Sequence, residues 1–126
     1  MRRDLDLIRE ILFAVEANGP GVQLDSLGFH RDRDDDLTIA ASGYHVDLML
    51  DAGFVVGQTF GSNGTAYLDW YVARLTHDGA DYLDSVRSPE VYRQTKKGLA
   101  KVGGSAGLAV VKQLAGSISA QLIGLG

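Results

Sequence analysis

Three histidines are the side chains best suited to acid–base or metal chemistry in this sequence. They stand at His30, His45 and His77, and none is part of the His-x-x-x-His spacing that places two ligands on one helix face. His45 lies beside a helix face that a partner could contact, so we treat it as a candidate recognition residue. A buried ring that is hydrogen-bonded to backbone is the commoner role for such a histidine.

The densest acidic cluster is the run that contains Asp32, Asp34, Asp35 and Asp36. A hard cation needs several oxygens that converge from more than one direction. The run lacks the loop glycine and the bidentate glutamate of an EF-hand. A solvated loop is therefore the favoured interpretation, and no metal site is predicted.

Phosphate binding and nucleophilic catalysis find no support in the motifs. The glycine-rich segment 57–64 lacks both the lysine and the following helix of a phosphate loop. No nucleophile, base and orienting group can be nominated together. The absence of cysteine excludes a disulfide framework and thiolate metal ligands. The sequence predicts a protein that is not an enzyme and that needs no cofactor.

Charge is distributed unevenly along the chain. Residues 1–86 hold six Lys and Arg against 15 Asp and Glu, whereas residues 87–126 hold six against one. A polyanion is therefore easier to place near the C-terminal part. The candidate nucleic-acid-binding residues are Arg74, Arg93, Lys96, Lys97 and Lys101, with Arg2, Arg3 and Arg9 as a second basic group. A basic tail that docks on an acidic body is the alternative.

Periodicity predicts the elements that must position these side chains. Apolar residues at helical spacing from Leu5 to Val15 predict a first helix, which Asn18-Gly19-Pro20 ends. A second helical region is predicted over about 37–52; Ser42-Gly43 is a potential break in it, and Gly53 ends it. The segment 22–29 suits a short strand. Two β-rich runs, 55–60 and 65–75, flank the turn sequence 61–64 and predict a hairpin. The second helix should present Tyr44, Asp47 and Asp51 on its outer side.

The C-terminal third reads as helical. Thr76 can cap one helix, and Ser88-Pro89 can begin another. Gly103-Gly104 suggests a hinge before a last helix over 105–125, where polar residues argue against a membrane span. Its apolar residues form a narrow seam that predicts packing on another helix or self-association. The seam residues are Leu108, Val111, Ala115, Ile118 and Leu122.

This order of elements resembles the winged helix-turn-helix fold, and two motifs carry the resemblance. The segment 44–55, YHVDLMLDAGFV, is similar to the His-Leu-x-x-Leu-x-x-Ala-Gly-Leu-Val pattern that ends many winged-helix recognition helices. The segment 75–83, LTHDGADYL, is similar to the Leu-Thr-x-x-Gly-x-x-x-Leu run that follows the wing. The resemblance implies an α+β fold with a two-stranded wing and an added C-terminal helical tail.

The whole chain, from residue 1 to about 122, also resembles an uncharacterised prokaryotic and phage family, domain of unknown function 2513. The opening MRRDLDLIR and the two motifs above carry this likeness. Tyr92 stands where many relatives have tryptophan, and Gly79-Ala80 replaces a common Gly-His pair. The resemblance implies a phage or prophage setting, and it assigns no functional residue.

Function is expected to be binding rather than catalysis. We expect a winged-helix domain at 1–87, a helical extension at 88–126, and a homo-oligomer that recognises a protein partner. Tyr44, His45, Asp47, Asp51 and Trp70 are the candidate recognition residues, although Trp70 is more often core than contact. A DNA-binding regulator is the alternative. Asp4 and Asp6 interrupt the apolar stretch that a signal peptide would need, so a cytoplasmic location is expected.

Overall fold

A computed structural model describes residues 2–61, 67–101 and 107–124. Within these ranges the fold is α+β, as predicted, with six helices and one three-stranded antiparallel sheet. The chain divides into two compact units, Met1–Ala80 and Asp81–Gly126. The elements are α1 (Leu5–Asn18), β1 (Leu24–Asp25), α2 (Ser26–His30), α3 (Ile39–Asp51), β2 (Val55–Gly61), β3 (Tyr67–Leu75), α4 (His77–Val86), α5 (Pro89–Ala100) and α6 (Leu108–Leu122).

Helix α1 forms where its periodicity predicts it. The Asp4 side chain caps its start by accepting the backbone N–H groups of Asp6 and Leu7, and Gly19 ends it at a φ of 79°. One apolar stripe of α1 is buried and forms much of the core of the first unit. The stripe consists of Leu7, Ile8, Ile11, Leu12 and Val15.

The segment 22–29 differs from its prediction as one strand. Only Leu24 and Asp25 are extended, and the chain then turns into the short helix α2. The Asp25 carboxylate accepts the N–H of Gly28 at 2.6 Å, which caps this helix and stops the strand. Leu24 pairs with Val72 of β3, a contact 48 positions away that no local pattern could reveal.

Helix α3 is continuous through Ser42-Gly43, the potential break point in the sequence. Thr38 caps it by accepting the N–H of Ala41 at 3.0 Å. Gly43 is buried against β3, and a Cβ at this position would lie 2.6 Å from the Cβ of Tyr67. The glycine therefore serves the close approach of α3 to the sheet and does not break the helix.

The sheet order is β1-β3-β2, which makes β3 the central strand. The β2–β3 hairpin is confirmed, with Val55 opposite Leu75 and Phe60 opposite Asp69. Its predicted turn residues 62–64 lie outside the described residues, as do Val102 and the predicted hinge at Gly103-Gly104. Val72 and Trp70 point into the core of the first unit, and α3 packs on the hairpin.

The second unit contains a helical hairpin of α5 and α6. Ser88 caps α5, with Pro89 in the first turn, as predicted. The two helices approach closely at Gly98, where a Cβ would lie 3.1 Å from Leu114 Cδ2. Lys112 of α6 pairs with Asp81 at 3.8 Å. No described helix has the length and apolar character needed to cross a membrane.

The predicted oligomer seam on α6 needs a correction. Leu108, Val111 and Ala115 are buried within the chain, because α6 packs against α5. Those three side chains are not available to a second copy. Ile118 is half-buried and Leu122 is half exposed, so only this end of the seam remains at the surface.

Candidate partner-binding surface

His45 is a structural residue. Its ring is 2% exposed, and both nitrogens have backbone partners: Nδ1 lies 2.8 Å from the Ala41 carbonyl, and Nε2 lies 2.9 Å from the N–H of Asp4. Since the Asp4 N–H must donate, Nε2 accepts and Nδ1 carries the proton. The ring thus ties the first residues of α1 to α3. The prediction that His45 contacts a partner is wrong.

Trp70 is also a core residue rather than a contact. It is 1% exposed, and its indole Nε1 donates to Ser42 Oγ at 2.8 Å. Ser42 Oγ further contacts the carbonyl of Ile39 and lies 2.8 Å from His30 Nε2. A serine beside a histidine is a nucleophile–base arrangement, but Ser42 is 0% exposed and so cannot meet a substrate. The cluster anchors α2 and α3 to the sheet.

His30 makes stability depend on pH. Burial, together with the positive charge of Arg33, lowers the pKa of His30, while Asp35 opposes this shift. The folded state therefore favours the neutral ring. The stabilisation is complete above the unfolded pKa of about 6.5 and is lost as pH falls from there through the lower folded value. We expect the free energy of unfolding in urea to fall between pH 7.5 and pH 5.5, a window above most carboxylate titration.

The variant His30→Asn tests this assignment. It removes the titrating ring and leaves the other two histidines, His45 and His77, in place. The difference in unfolding free energy between the two pH values should be smaller in the variant than in the parent. Equal differences in both proteins would show that His30 is not the group responsible.

Asp47 faces the hairpin. Its carboxylate accepts the Tyr67 hydroxyl at 2.8 Å and the Thr59 hydroxyl at 3.4 Å. The hydrogen bond to Asp47 and partial burial raise the pKa of the Tyr67 phenol. The prediction that Asp47 points away from the body is wrong, because the hairpin packs on that side of α3. No local sequence pattern links Tyr67 to Asp47, which lies 20 positions earlier in the chain.

Two of the predicted recognition residues remain accessible on α3. Tyr44 is half-buried, with its ring edge-on to His45, and Asp51 is exposed. They are separated by seven residues, or two helical turns, so they share one face of the helix. No lysine or arginine occurs in α3. The accessible part of this helix is therefore aromatic at one end and anionic at the other.

The loop before α3 adds negative charge near the start of the helix. Asp32, Asp34 and Asp36 are exposed. Arg33 is engaged within the fold, since its guanidinium contacts Glu10 at 3.1 Å and Asp35 at 2.8 Å and lies over the Phe29 ring. In the part of the chain that the structure describes, no three His, Asp or Glu side chains form a cation site. The loop presents carboxylates to solvent.

The end of the first motif that carried the resemblance is hydrogen-bonded to the start of the second. Thr76 Oγ1 donates to the Gly53 carbonyl and accepts the N–H of Gly79 at 3.1 Å, while the Thr76 N–H donates to the Phe54 carbonyl at 2.9 Å. Gly79 lies so close to that carbonyl that a Cβ would be 1.9 Å from its oxygen. Gly53 adopts a φ of 74°, which favours glycine. The motifs join the end of α3 to the start of α4.

A comparison with protein-family models matches residues 2–106 to DUF2513, which is described as a hypothetical protein. The chain belongs to the DUF2513 family. No curated protein and no solved structure is significantly similar to it. For this DUF2513 chain, function must therefore be argued from its own surface.

The basic candidates of this DUF2513 protein lie mainly on α5. Arg93, Lys96, Lys97 and Lys101 are all exposed. Arg93 pairs with Glu90, and the Lys96 ammonium lies 5.4 Å from the centre of the Tyr92 ring. Arg74 is exposed on β3, and its Nη1 donates to the Leu75 carbonyl at 3.1 Å. The stripe on α5 thus forms a cationic surface on the second unit.

Proposed function

We propose that this DUF2513 protein is a non-catalytic winged-helix module that binds a protein partner and self-associates. Three features support the winged-helix assignment: the element order α1-β1-α2-α3-β2-β3, the sheet order β1-β3-β2, and α3 packed on the hairpin. In that fold the position of α3 is the usual recognition helix. The two motifs that resemble winged-helix sequences also support this assignment.

One observation carries the choice of a protein partner: α3 has no lysine or arginine, and in the loop before it Arg33 is engaged in ion pairs, which leaves Arg31 as the exposed cation of that segment. Helices that enter the major groove use Arg, Lys, Asn or Gln toward bases and need little negative charge near phosphate. Asp51 and the aspartates at 32, 34 and 36 oppose this use. Residues 1–80 hold six Lys and Arg against 13 Asp and Glu, a formal balance of −7. A basic protein surface is the complementary partner.

Site-specific photocrosslinking tests the proposed surface. A photoreactive phenylalanine analogue at Tyr44 should give a discrete protein adduct in cells of the organism that encodes this protein. The reason is that Tyr44 is accessible beside the acidic face. Adding Asp51→Lys should weaken that adduct by reversing the charge that attracts a basic partner. The same analogue at Ala17, which is exposed on α1, is the matched control. Equal adducts at both positions, or none at Tyr44, would contradict the proposal.

DNA binding is the second candidate, and the exposed basic stripe of α5 favours it. A mixed-sequence duplex should then bind with an affinity that collapses between about 50 and 200 mM salt, since phosphate contacts release counterions. Lys96→Glu with Lys97→Glu should weaken binding and reduce the salt slope. If the partner is a protein, fluorescence anisotropy at low salt should instead show no saturable binding of the duplex. If the duplex binds in a salt-sensitive way and these substitutions abolish that binding, the protein is instead a DNA-binding regulator that uses α5.

A further inference from the structure

Strand β2 is an unpaired sheet edge with unusual chemistry. In the order β1-β3-β2 it pairs with β3 on one side, and no backbone hydrogen bond between described residues reaches its other side. Its seven residues, VVGQTFG, include no charge and no proline. Proteins commonly protect sheet edges with lysine, proline, a bulge or a very short strand. This edge has neither of the two side-chain protections.

The two β-bulges of the hairpin lie in β3, so the backbone of β2 stays regular. The register shifts between Val56 and Gly57 and between Phe60 and Gly61. In both cases the extra residue, 73 or 68, belongs to the central strand β3. A bulge kinks the strand that carries the extra residue. The backbone of β2 therefore keeps a continuous row of outward donors and acceptors.

The outer side chains of β2 are self-complementary. Val56, Gln58 and Phe60 point to the solvent face, with Val56 and Phe60 each 42% exposed. Phe60 also stacks near Tyr71, with ring centres 6.2 Å apart, which fixes its position on that face. A two-fold axis through Gln58 places each Val56 opposite Phe60 of the second copy and the two Gln58 amides opposite each other. This register pairs all seven residues.

We propose that β2 pairs antiparallel with β2 of a second copy, so that two three-stranded sheets join into one of six strands. The symmetry of the outer side chains favours a copy as the occupant, because Val56 meets Phe60 across the two-fold axis and the uncharged strand brings no repulsion at the contact itself. One strand pair is smaller than the roughly 1,200 Å² of a stable interface, so the dimer is weak and depends on concentration. The proposal rests on the self-association stated above and names its surface.

Charge substitution at the two-fold axis tests the register. In Gln58→Lys or Gln58→Glu, like charges face each other across the axis, which destabilises the pair. Each variant alone should dimerise about tenfold more weakly than the parent in sedimentation velocity. Mixing the two should restore dimer, because Lys then faces Glu. Leu27→Lys adds the same charge at a site that is 68% exposed and should leave the dimer unchanged.

Cysteine crosslinking gives an independent check, since the chain has no cysteine. Opposed Cα atoms in an antiparallel pair are about 4.5–5.5 Å apart, within the range of a disulfide. Gln58→Cys should therefore form a disulfide dimer on mild oxidation. Val56→Cys alone should not, because its equivalent lies four positions along, but mixing it with Phe60→Cys should. Crosslinking no faster at Gln58 than in Leu27→Cys would overturn the proposal.

The outcomes separate this inference from the proposed function. A dimer that survives Gln58→Lys refutes the β2 contact and leaves self-association intact, and Ile118→Asp with Leu122→Asp then tests α6. A parent chain that stays monomeric at high micromolar concentration refutes self-association by any surface. Recognition of a partner by α3 is unaffected by either result, because the Tyr44 crosslink measures it separately.

Discussion

Gly79→Ala should lower the free energy of unfolding by about 3 kcal/mol, at the upper end of overpacking costs. The new methyl group would lie 1.9 Å from the Phe54 carbonyl oxygen and 2.8 Å from its carbon. These are backbone atoms, so no flexible side chain can move aside. The same carbonyl accepts the Thr76 N–H, so relief of the overlap must also disturb the cap of α4. The substitution therefore acts on the point where both family motifs meet.

Thermal and urea unfolding measure this effect, and a fall in melting temperature of roughly 10 °C is expected for a chain of this size. Gly116→Ala is the control, since Gly116 lies in α6 and a Cβ there meets no atom within 4 Å. Alanine in a helix is favoured over glycine by about 1 kcal/mol, so this variant should be slightly more stable. A Gly79→Ala protein as stable as its parent would show that α4 does not press on Phe54.

Local sequence rules predicted the elements whose ends are made by neighbouring residues. Asp4, Thr38 and Ser88 each cap a helix by accepting N–H groups two or three positions ahead, and Gly53 adopts a positive φ. All the information for such an end lies within one turn. The bounds of α1, α3 and α5 were predictable for this reason, and the α+β class followed from them.

Features that depend on distant pairing were not predictable in the same way. The extended pair Leu24-Asp25 exists because β3 lies beside it, whereas the cap of α2 by Asp25 could have been inferred from the Asp-x-x-Gly spacing. A helical wheel shows which residues share a face, but it cannot show that the hairpin covers the Asp47 side. The same limit explains why the sequence offered five recognition candidates although three of them are buried or engaged within the fold.

Ser42 shows how much of the core depends on one small polar residue. Its Oγ is the acceptor for Trp70 Nε1, which is buried, and it also contacts His30. Ser42→Ala would leave the indole N–H without this partner, and an unsatisfied buried donor costs about 1–3 kcal/mol. We expect a loss of about 2 kcal/mol in urea unfolding followed by circular dichroism. Ser117→Ala, at an exposed position of α6, should change stability little.

A double-mutant cycle with Trp70→Phe separates the hydrogen bond from the packing of the ring. Trp70→Phe removes the donor and part of the ring volume, so its own cost is mainly lost packing. Once the donor is gone, Ser42→Ala no longer leaves it without an acceptor. The double variant should therefore lose about 1–2 kcal/mol less stability than the sum of the two single losses. Strict additivity would mean that the indole and the Ser42 hydroxyl do not interact. A coupling of the expected size would establish the bond that holds α3 to the central strand beneath the proposed recognition face.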